Sequence, residues 1–108
     1  MRKAIARAMI VPVLAILPLV AGCQSETKKH LYAAEDLFEK RDLQGAQKEL
    51  LLSIQADPKN VDAHKSLAHI DEFLGDQEGA AKEYALASEL DPSDQKIMEK
   101  ARFYRQLQ

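Results

Sequence analysis

The one cysteine of this 108-residue chain, Cys23, lies in the stretch LVAGCQ, where an uncharged segment ends and a charged one begins. A cysteine thiol is a strong nucleophile and is open to covalent modification. A lone cysteine cannot form a disulfide within its own chain, and in an exported protein it would be a reactive liability. The position of Cys23 therefore predicts a modification site rather than a structural crosslink.

The other residues with chemical potential are three histidines and their acidic neighbours. His64 and His69 are five residues apart, about 140° around a helix, so they do not share a face that could hold a metal. We expect these two and His30 to face solvent or a groove. Asp71 and Glu72 are adjacent and point apart on a helix. Together with the absence of a glycine-rich phosphate loop, this predicts a protein that is not an enzyme and has no metal or other cofactor.

The N-terminal segment has the pattern of a secretory signal peptide. Residues 1–7 carry three basic side chains, and residues 8–22 carry no charge and are mostly apolar. A membrane-spanning helix usually needs about 20 apolar residues. Pro12 and Pro18 would each interrupt such a helix. A permanent transmembrane anchor is therefore the weaker alternative.

The stretch Val20-Ala21-Gly22-Cys23 resembles the lipobox of bacterial lipoproteins, in which a branched apolar residue and two small residues precede the lipidated cysteine. The resemblance implies a diacylglycerol on the Cys23 sulfur, removal of residues 1–22 and an acyl group on the new N-terminus. Two or three acyl chains give lasting membrane attachment. In enterobacterial lipoproteins Gln24, rather than Asp, would favour the outer membrane, facing the periplasm. The alternative is an ordinary signal peptide with a coincidental cysteine.

The charge that remains after this segment also limits the function. The leader holds three of the 15 Lys and Arg residues, so 12 remain against 17 Asp and Glu, a net charge of −5 over 86 residues. A nucleic-acid binder would need a basic surface to displace counterions from phosphates, so no nucleic-acid partner is expected. A chain this short has a core that is barely sufficient for a stable domain.

A repeat follows the leader. GAQKELLLSIQADP at 45–58 aligns without gaps with GAAKEYALASELDP at 79–92, so that Gly45 matches Gly79 and Pro58 matches Pro92. The two segments are 34 residues apart, and we call this offset the repeat spacing. A period of about 34 residues is typical of the tetratricopeptide (TPR) family of helix-turn-helix repeats, which the pattern resembles. The resemblance implies an all-α fold, a short α-solenoid with two TPR repeats at 27–60 and 61–94. Residues 23–26 would then be the lipidated cysteine and a short tether.

Local signals agree with helical hairpins. Apolar residues recur at helical spacing and no stretch alternates as a strand would. Asp57-Pro58 and Asp91-Pro92 are expected to end the second helix of each pair. Gly75 suits a tight turn, whereas the equivalent Arg41 lacks the usual glycine and predicts strain. The predicted helices are 27–40, 43–56, 60–74, 77–90 and 94–107, with residues 94–108 as a capping helix over the last repeat.

The TPR resemblance also implies where packing and binding residues lie. The close-packing small residues would be Ala34, Ala46, Ala68, Ala80 and Ala87. The inner, ligand-binding face would carry Leu31, Glu35, Phe38, Lys65, His69, Phe73 and Phe103, with Lys28, Glu39, Asp62, Glu72 and Glu99 beside them. The alternative for Phe38 and Phe73 is that they are core residues. Glu35 and His69 replace the asparagines of the carboxylate clamp of chaperone-binding TPRs, which disfavours that mode.

These patterns predict a membrane-anchored TPR lipoprotein that acts as an interaction adaptor or assembly factor in the bacterial cell envelope. Its partner would be an envelope protein or peptide that binds as an extended segment or a helix. The tether between Cys23 and Thr27 spans at most about 10 to 14 Å, so the partner should lie in or against the membrane. The alternative function is structural: two repeats are fewer than a stable solenoid usually has, so the chain could form a homodimer.

Overall fold

The computed structural model describes residues 24–108, and this part of the chain is all-α, as predicted. It contains five helices: α1 covers residues 24–39, followed by α2 (Leu43–Ala56), α3 (Val61–Leu74), α4 (Gln77–Leu90) and α5 (Gln95–Gln106). The predicted bounds of α2 to α5 agree with these to within one residue at each end. We call α1 with α2 the first hairpin and α3 with α4 the second hairpin.

The first helix begins earlier than predicted. Residues 24–26, predicted to be part of a tether, are already helical. Glu26 lies 3.9 Å from both Lys29 and His30, one turn further along, which favours helical geometry at this end. Thr27 is buried, and its carbonyl accepts a hydrogen bond of 3.1 Å from Ser53 of α2. The predicted signal peptide and the lipidation site at Cys23 lie outside the described residues.

Side-chain caps begin each of the four later helices. A carboxylate or amide oxygen at the N-cap accepts the backbone N–H three residues further on, which satisfies a donor that the helix itself cannot pair. The four N-caps are Asp42, Asn60, Asp76 and Asp94. Asp57 and Asp91 end α2 and α4 in extended or irregular conformations ahead of their prolines, as predicted.

The turns within the two hairpins have the same left-handed geometry. Gly75 has a φ of 76° and Arg41 has a φ of 64°, the one positive φ at a non-glycine position among residues 24–108. A side chain is disfavoured in this region of backbone space. The strain predicted from the missing glycine at position 41 is therefore confirmed.

The core consists of two apolar clusters that meet at α3. Leu67 and Ile70 of α3 pack with Ala34, Ala46 and Leu50 of the first hairpin. The second cluster combines four alanines and Tyr84 of the second hairpin with the buried face of α5, namely Ala68, Ala80, Ala81, Tyr84, Ala87, Ile97, Ala101 and Tyr104. The five alanines predicted at close-packing sites are all buried. Larger side chains there would overpack these helix contacts, at about 1–3 kcal/mol each.

Candidate protein-binding groove

A groove runs between α1 and α3. One part of it, about 220 Å³, has Ala34 and Leu50 in its floor, and its walls come from both helices: Leu31, Glu35, Phe38, Glu39, Ser66, His69 and Ile70. A neighbouring part of about 370 Å³ is lined by Lys28, Leu31, Tyr32, Glu35, Asn60, Asp62 and Ser66. Because both parts share residues of α1 and α3, they form one groove, which we call the α1/α3 groove.

An aromatic cluster lies beside this groove. The rings of Phe38 and Phe73 are 5.4 Å apart edge to face, and the ring of His69 is 5.0 Å from that of Phe73 and 6.1 Å from that of Phe38. Such edge-to-face pairs are favourable aromatic geometries. Phe38 packs against the first core cluster, whereas Phe73 is 54% exposed. Phe38 is therefore partly a core residue, whereas Phe73 is not a core residue.

Two acidic side chains of the groove, both on α1, are unpaired. Glu35 and Glu39 are both exposed, and neither has an ion-pair or hydrogen-bond partner anywhere in residues 24–108. Their positions on α1 are four residues apart, which places them about 6 Å apart along the helix axis. The groove thus combines an apolar floor, exposed aromatic surface and carboxylates that are free to pair with a ligand.

Two predicted face residues lie elsewhere. Lys65 donates a hydrogen bond of 2.9 Å to Asp94, the N-cap of α5, and does not line the groove. That bond raises the pKa of Lys65, and together with the N–H of Ile97 it lowers the pKa of Asp94. Phe103 lies on α5, where its exposed ring meets the edge of Tyr104 at 5.2 Å. The groove therefore brings together Leu31, Glu35, Phe38 and His69, with Phe73 in contact.

Glu72, which the TPR pattern places near the binding face, instead joins three helices. Its carboxylate accepts hydrogen bonds of 2.7–2.8 Å from Lys100, Tyr104 and Tyr84, and His69 lies 3.4 Å away. Burial opposes the charged form, but these hydrogen bonds outweigh it and lower the pKa of Glu72 from 4.5 to about 2. Burial and the same contact raise the pKa of Tyr104 to about 12. We call this group the Glu72 hub.

His64 is buried, not exposed or in a groove as expected. Its Nδ1 lies 2.6 Å from Glu83 Oε2, and its Nε2 lies 2.7 Å from the carbonyl oxygen of Pro58. A carbonyl can only accept, so Nε2 is the nitrogen that donates to Pro58 and Nδ1 is the one that faces Glu83. His30 and Glu49 make the same 2.6 Å contact. The two histidines are separated by the repeat spacing, and so are the two glutamates. This signal was present in the sequence and was missed.

Asp71 is a buried carboxylate at a position whose counterpart in the first hairpin, at the repeat spacing, is Leu37. It is buried, and Gln47 of α2 donates a hydrogen bond of 2.9 Å to its carboxylate. Burial raises the pKa of Asp71, although the bond from Gln47 acts in the opposite direction. Asp71 thus links the two hairpins through a side-chain contact.

Two further features of residues 24–108 bear on the choice of the candidate site. Among residues 24–108 no three His, Cys, Asp or Glu side chains are grouped so that they could hold a metal ion. A larger depression of about 580 Å³ lies between α4 and α5, but its walls are small or long charged side chains such as Ala85, Lys82 and Arg105, without an aromatic ring. The α1/α3 groove is the better binding candidate because it combines exposed aromatic surface with unpaired charge.

None of α1 to α5, as far as they are described, is long and apolar enough to cross a membrane. Comparison of the whole chain with protein-family models gives no match, and comparison with curated proteins gives none either.

Proposed function

We propose that this protein is a membrane-anchored TPR-type lipoprotein of the bacterial cell envelope, which binds an envelope protein or peptide in the α1/α3 groove as an adaptor or assembly factor. The observation that carries the proposal is the groove itself. Phe73 is 54% exposed next to Phe38 and His69. A patch of this kind, rimmed by polar residues, is typical of an interaction site.

The repetition of contacts supports the TPR assignment. The first and second hairpins carry equivalent N-cap bonds, Asp42 to Gly45 and Asp76 to Gly79, both 2.9 Å. Their histidine–glutamate contacts are also equivalent, as described above. Two units with the same internal contacts at the repeat spacing are expected of a helical repeat. In this scheme α5 is the capping helix, and its buried Ile97 covers the second core cluster.

The membrane location rests on the lipobox resemblance and on the position of α1. Lipidation at Cys23 would attach a diacylglycerol and an N-acyl chain one residue before the described part of α1, and Gln24 favours the outer membrane, facing the periplasm. Leu31 and Phe38 lie about 10 and 21 Å from Gln24 along α1. The groove would thus lie close to the lipid surface, where it meets a partner in or against the membrane.

Site-specific photo-crosslinking in intact cells tests the binding site. A photo-crosslinking phenylalanine derivative replaces Phe73 in one strain and Gln55, an exposed residue of α2, in a matched control strain. We expect an adduct with an envelope protein from position 73 and none from position 55, because only position 73 borders the groove. Adducts from position 55 alone would move the binding site to the outer face of α2.

Metabolic labelling with a fatty-acid analogue tests the anchor. Cys23→Ser should abolish labelling, because a serine hydroxyl does not replace the thiol as the acceptor of the diacylglyceryl group. The variant should also lose stable attachment to the membrane fraction. Labelling that persists in the variant would contradict lipidation at Cys23.

The second candidate function is a homo-oligomerising envelope lipoprotein. It is favoured by Leu51 and Leu52 of α2, two large apolar side chains that are exposed to solvent. Sedimentation of the full chain in neutral detergent separates the two functions. A species of one chain per micelle at micromolar concentration excludes obligate self-association, whereas a dimer that Leu51→Gln/Leu52→Gln dissociates supports it.

A further inference from the structure

We infer that the α1/α3 groove takes a basic polypeptide segment, one that presents Lys or Arg side chains next to apolar ones. This inference rests on the proposed function, because it names the chemistry of the partner that the groove would bind. It follows from three properties of the groove: its unpaired acidic charge, its exposed aromatic surface and the spacing of its carboxylates.

The charge of the groove is negative. Three carboxylates line it, those of Glu35, Glu39 and Asp62, against the single ammonium group of Lys28. Glu35 and Glu39 have no partner in the described part of the chain, so a ligand cation can pair with them without breaking an existing contact. An acidic ligand would face repulsion from the same side chains.

The nearby cations do not reverse this balance. Lys65 is engaged with Asp94 at 2.9 Å. His69 lies 3.4 Å from the Glu72 carboxylate, so it already has a partner on its own helix. Lys28 therefore remains the one groove-lining ammonium group within residues 24–108.

The aromatic cluster adds a second reason for a cation. A Lys or Arg head group is attracted to the face of an aromatic ring within about 6 Å. Phe73 is 54% exposed and lies beside the groove that contains Glu35 and Glu39. The apolar floor formed by Ala34 and Leu50 would meanwhile accommodate aliphatic side chains or the stem of a lysine.

The spacing of the carboxylates sets the spacing of the ligand cations. Glu35 and Glu39 are about 6 Å apart along α1. Two lysines four residues apart on a helix, or two residues apart on an extended segment, have nearly the same separation. A suitable helical probe is therefore a labelled peptide of about 15 residues, of the order of four helical turns, with lysines at i and i+4 and leucines on the same face.

Fluorescence anisotropy with the full chain in neutral detergent tests the inference. The probe is compared with a matched peptide in which each lysine is glutamate. We expect saturable binding of the lysine peptide that weakens as salt increases, and no saturable binding of the glutamate peptide. Equal binding of the two peptides, or of neither, would overturn the inference.

A matched pair of variants locates the contact. Glu35→Gln/Glu39→Gln should weaken binding of the lysine peptide by about fivefold, the scale of two exposed ion pairs. Glu78→Gln/Glu89→Gln removes the same charge from exposed positions of α4 and should leave binding within about twofold. Equal losses in the two variants would show that the peptide responds to net charge alone, and would overturn the assignment to the groove.

The crosslinking described above separates this inference from the proposed function. Sequencing of the partner segment joined to position 73 should give a stretch with Lys or Arg among apolar residues. A neutral or acidic segment at position 73 would overturn the basic-ligand inference while leaving the groove as the binding site. Adducts only from position 55 would overturn both.

Discussion

The two hairpins carry the same polar contact in different surroundings. The His30–Glu49 and His64–Glu83 contacts are both 2.6 Å, but the side chains are 20% and 28% exposed in the first hairpin and only 5% and 9% exposed in the second. The second hairpin is covered by α2 on one side and α5 on the other. The same contact should therefore contribute more to stability in the second hairpin than in the first.

A second repeat position shows the same divergence. Phe38 and Glu72 are equivalent at the repeat spacing, yet Phe38 lines the α1/α3 groove and Glu72 binds Tyr84, Tyr104 and Lys100. In the first hairpin this position serves a binding surface, and in the second it attaches the last helix. The predictions below test these differences.

The largest difference is expected between His64→Ala and His30→Ala. Removal of His64 leaves Glu83 buried without its partner, which should cost about 3–5 kcal/mol. Removal of His30 leaves Glu49 with access to water, which should cost about 1 kcal/mol or less. Urea unfolding followed by circular dichroism measures both free energies of unfolding.

A double-mutant cycle controls for lost packing. The coupling energy of His64 with Glu83 should exceed that of His30 with Glu49, because the first pair is screened less by solvent. Equal coupling energies would mean that the difference in burial between the two hairpins does not change the strength of the contact.

The Glu72 hub is expected to have the next largest effect. Glu72→Gln removes the charge that Lys100 contacts and leaves one of the two tyrosine hydroxyls facing the NH2 of the amide, which cannot accept its hydrogen bond. The cost should be about 2–3 kcal/mol.

The equivalent position of the first hairpin is Phe38, and Phe38→Ala should weaken peptide binding. Glu72→Gln should instead detach α5, which hydrogen exchange of the α5 amides would detect.

The Glu72 hub also predicts an acid dependence. Because folding lowers the pKa of Glu72 from 4.5 to about 2, its stabilisation is complete above pH 4.5 and is lost as the pH falls toward 2. The difference in stability between the parent and Glu72→Gln should shrink by about 2–3 kcal/mol over that range. The contribution of Asp71 to stability has the opposite pH dependence, because its raised pKa gives stability that is lost as the pH rises. It cancels in the difference because both proteins carry it.

Much of the fold could be predicted because its signals are local and repeated. Proline positions, capping residues and the alanine sites indicate helix ends and close contacts without knowledge of the tertiary structure. The groove residues of α1 followed from the repeat register. Lys65 was predicted to lie on the binding face, but it pairs with Asp94 instead. Asp94 is distant in sequence and becomes its partner only when α5 packs against α3.

The Glu72 hub was beyond sequence reasoning for a similar reason. Its donors come from α3, α4 and α5, and a sequence pattern does not say which faces of three helices converge on one carboxylate. The buried histidine is different, since His30 matches His64 at the repeat spacing, as Glu49 matches Glu83. The early start of α1 was missed because residues 24–26 are polar and carry no apolar periodicity.

A smaller difference is expected between Gly79→Ala and Gly45→Ala. A methyl group at Gly45 would collide only with the exposed Asp42 side chain, which can move into solvent. At Gly79 the methyl group would collide with Asp76 and also lie 2.8 Å from Asp71 Oδ2. Asp71 is buried and hydrogen-bonded, so it cannot move as easily.

Gly79→Ala should therefore cost about 2 kcal/mol. Gly45→Ala should cost under about 1 kcal/mol, since a weakened cap is partly offset by the higher helix propensity of alanine. Thermal unfolding of the two variants compares them directly. Indistinguishable melting temperatures would show that Asp71 does not constrain the start of α4.

The smallest effect is expected at the two turns, which share a hydrogen-bond pattern. The N–H of Arg41 donates to Phe38 and that of Asp42 to Leu37, just as the N–H groups of Gly75 and Asp76 donate to Glu72 and Asp71. The turns differ in that the left-handed position is a glycine only in the second hairpin.

Arg41→Gly should stabilise the fold by about 0.5 kcal/mol, because relief of the strained backbone exceeds the added freedom of glycine in the unfolded chain. Gly75→Ala should destabilise it by about 1 kcal/mol, since it introduces the same strain. In a domain of this size the melting temperature should rise by about 2–4 °C and fall by about 4–8 °C, respectively. Arg41→Ala removes the charge but keeps the strain, so it should give no increase. An equal increase for Arg41→Ala would assign the effect to charge rather than backbone geometry, and the two turns would then not be equivalent.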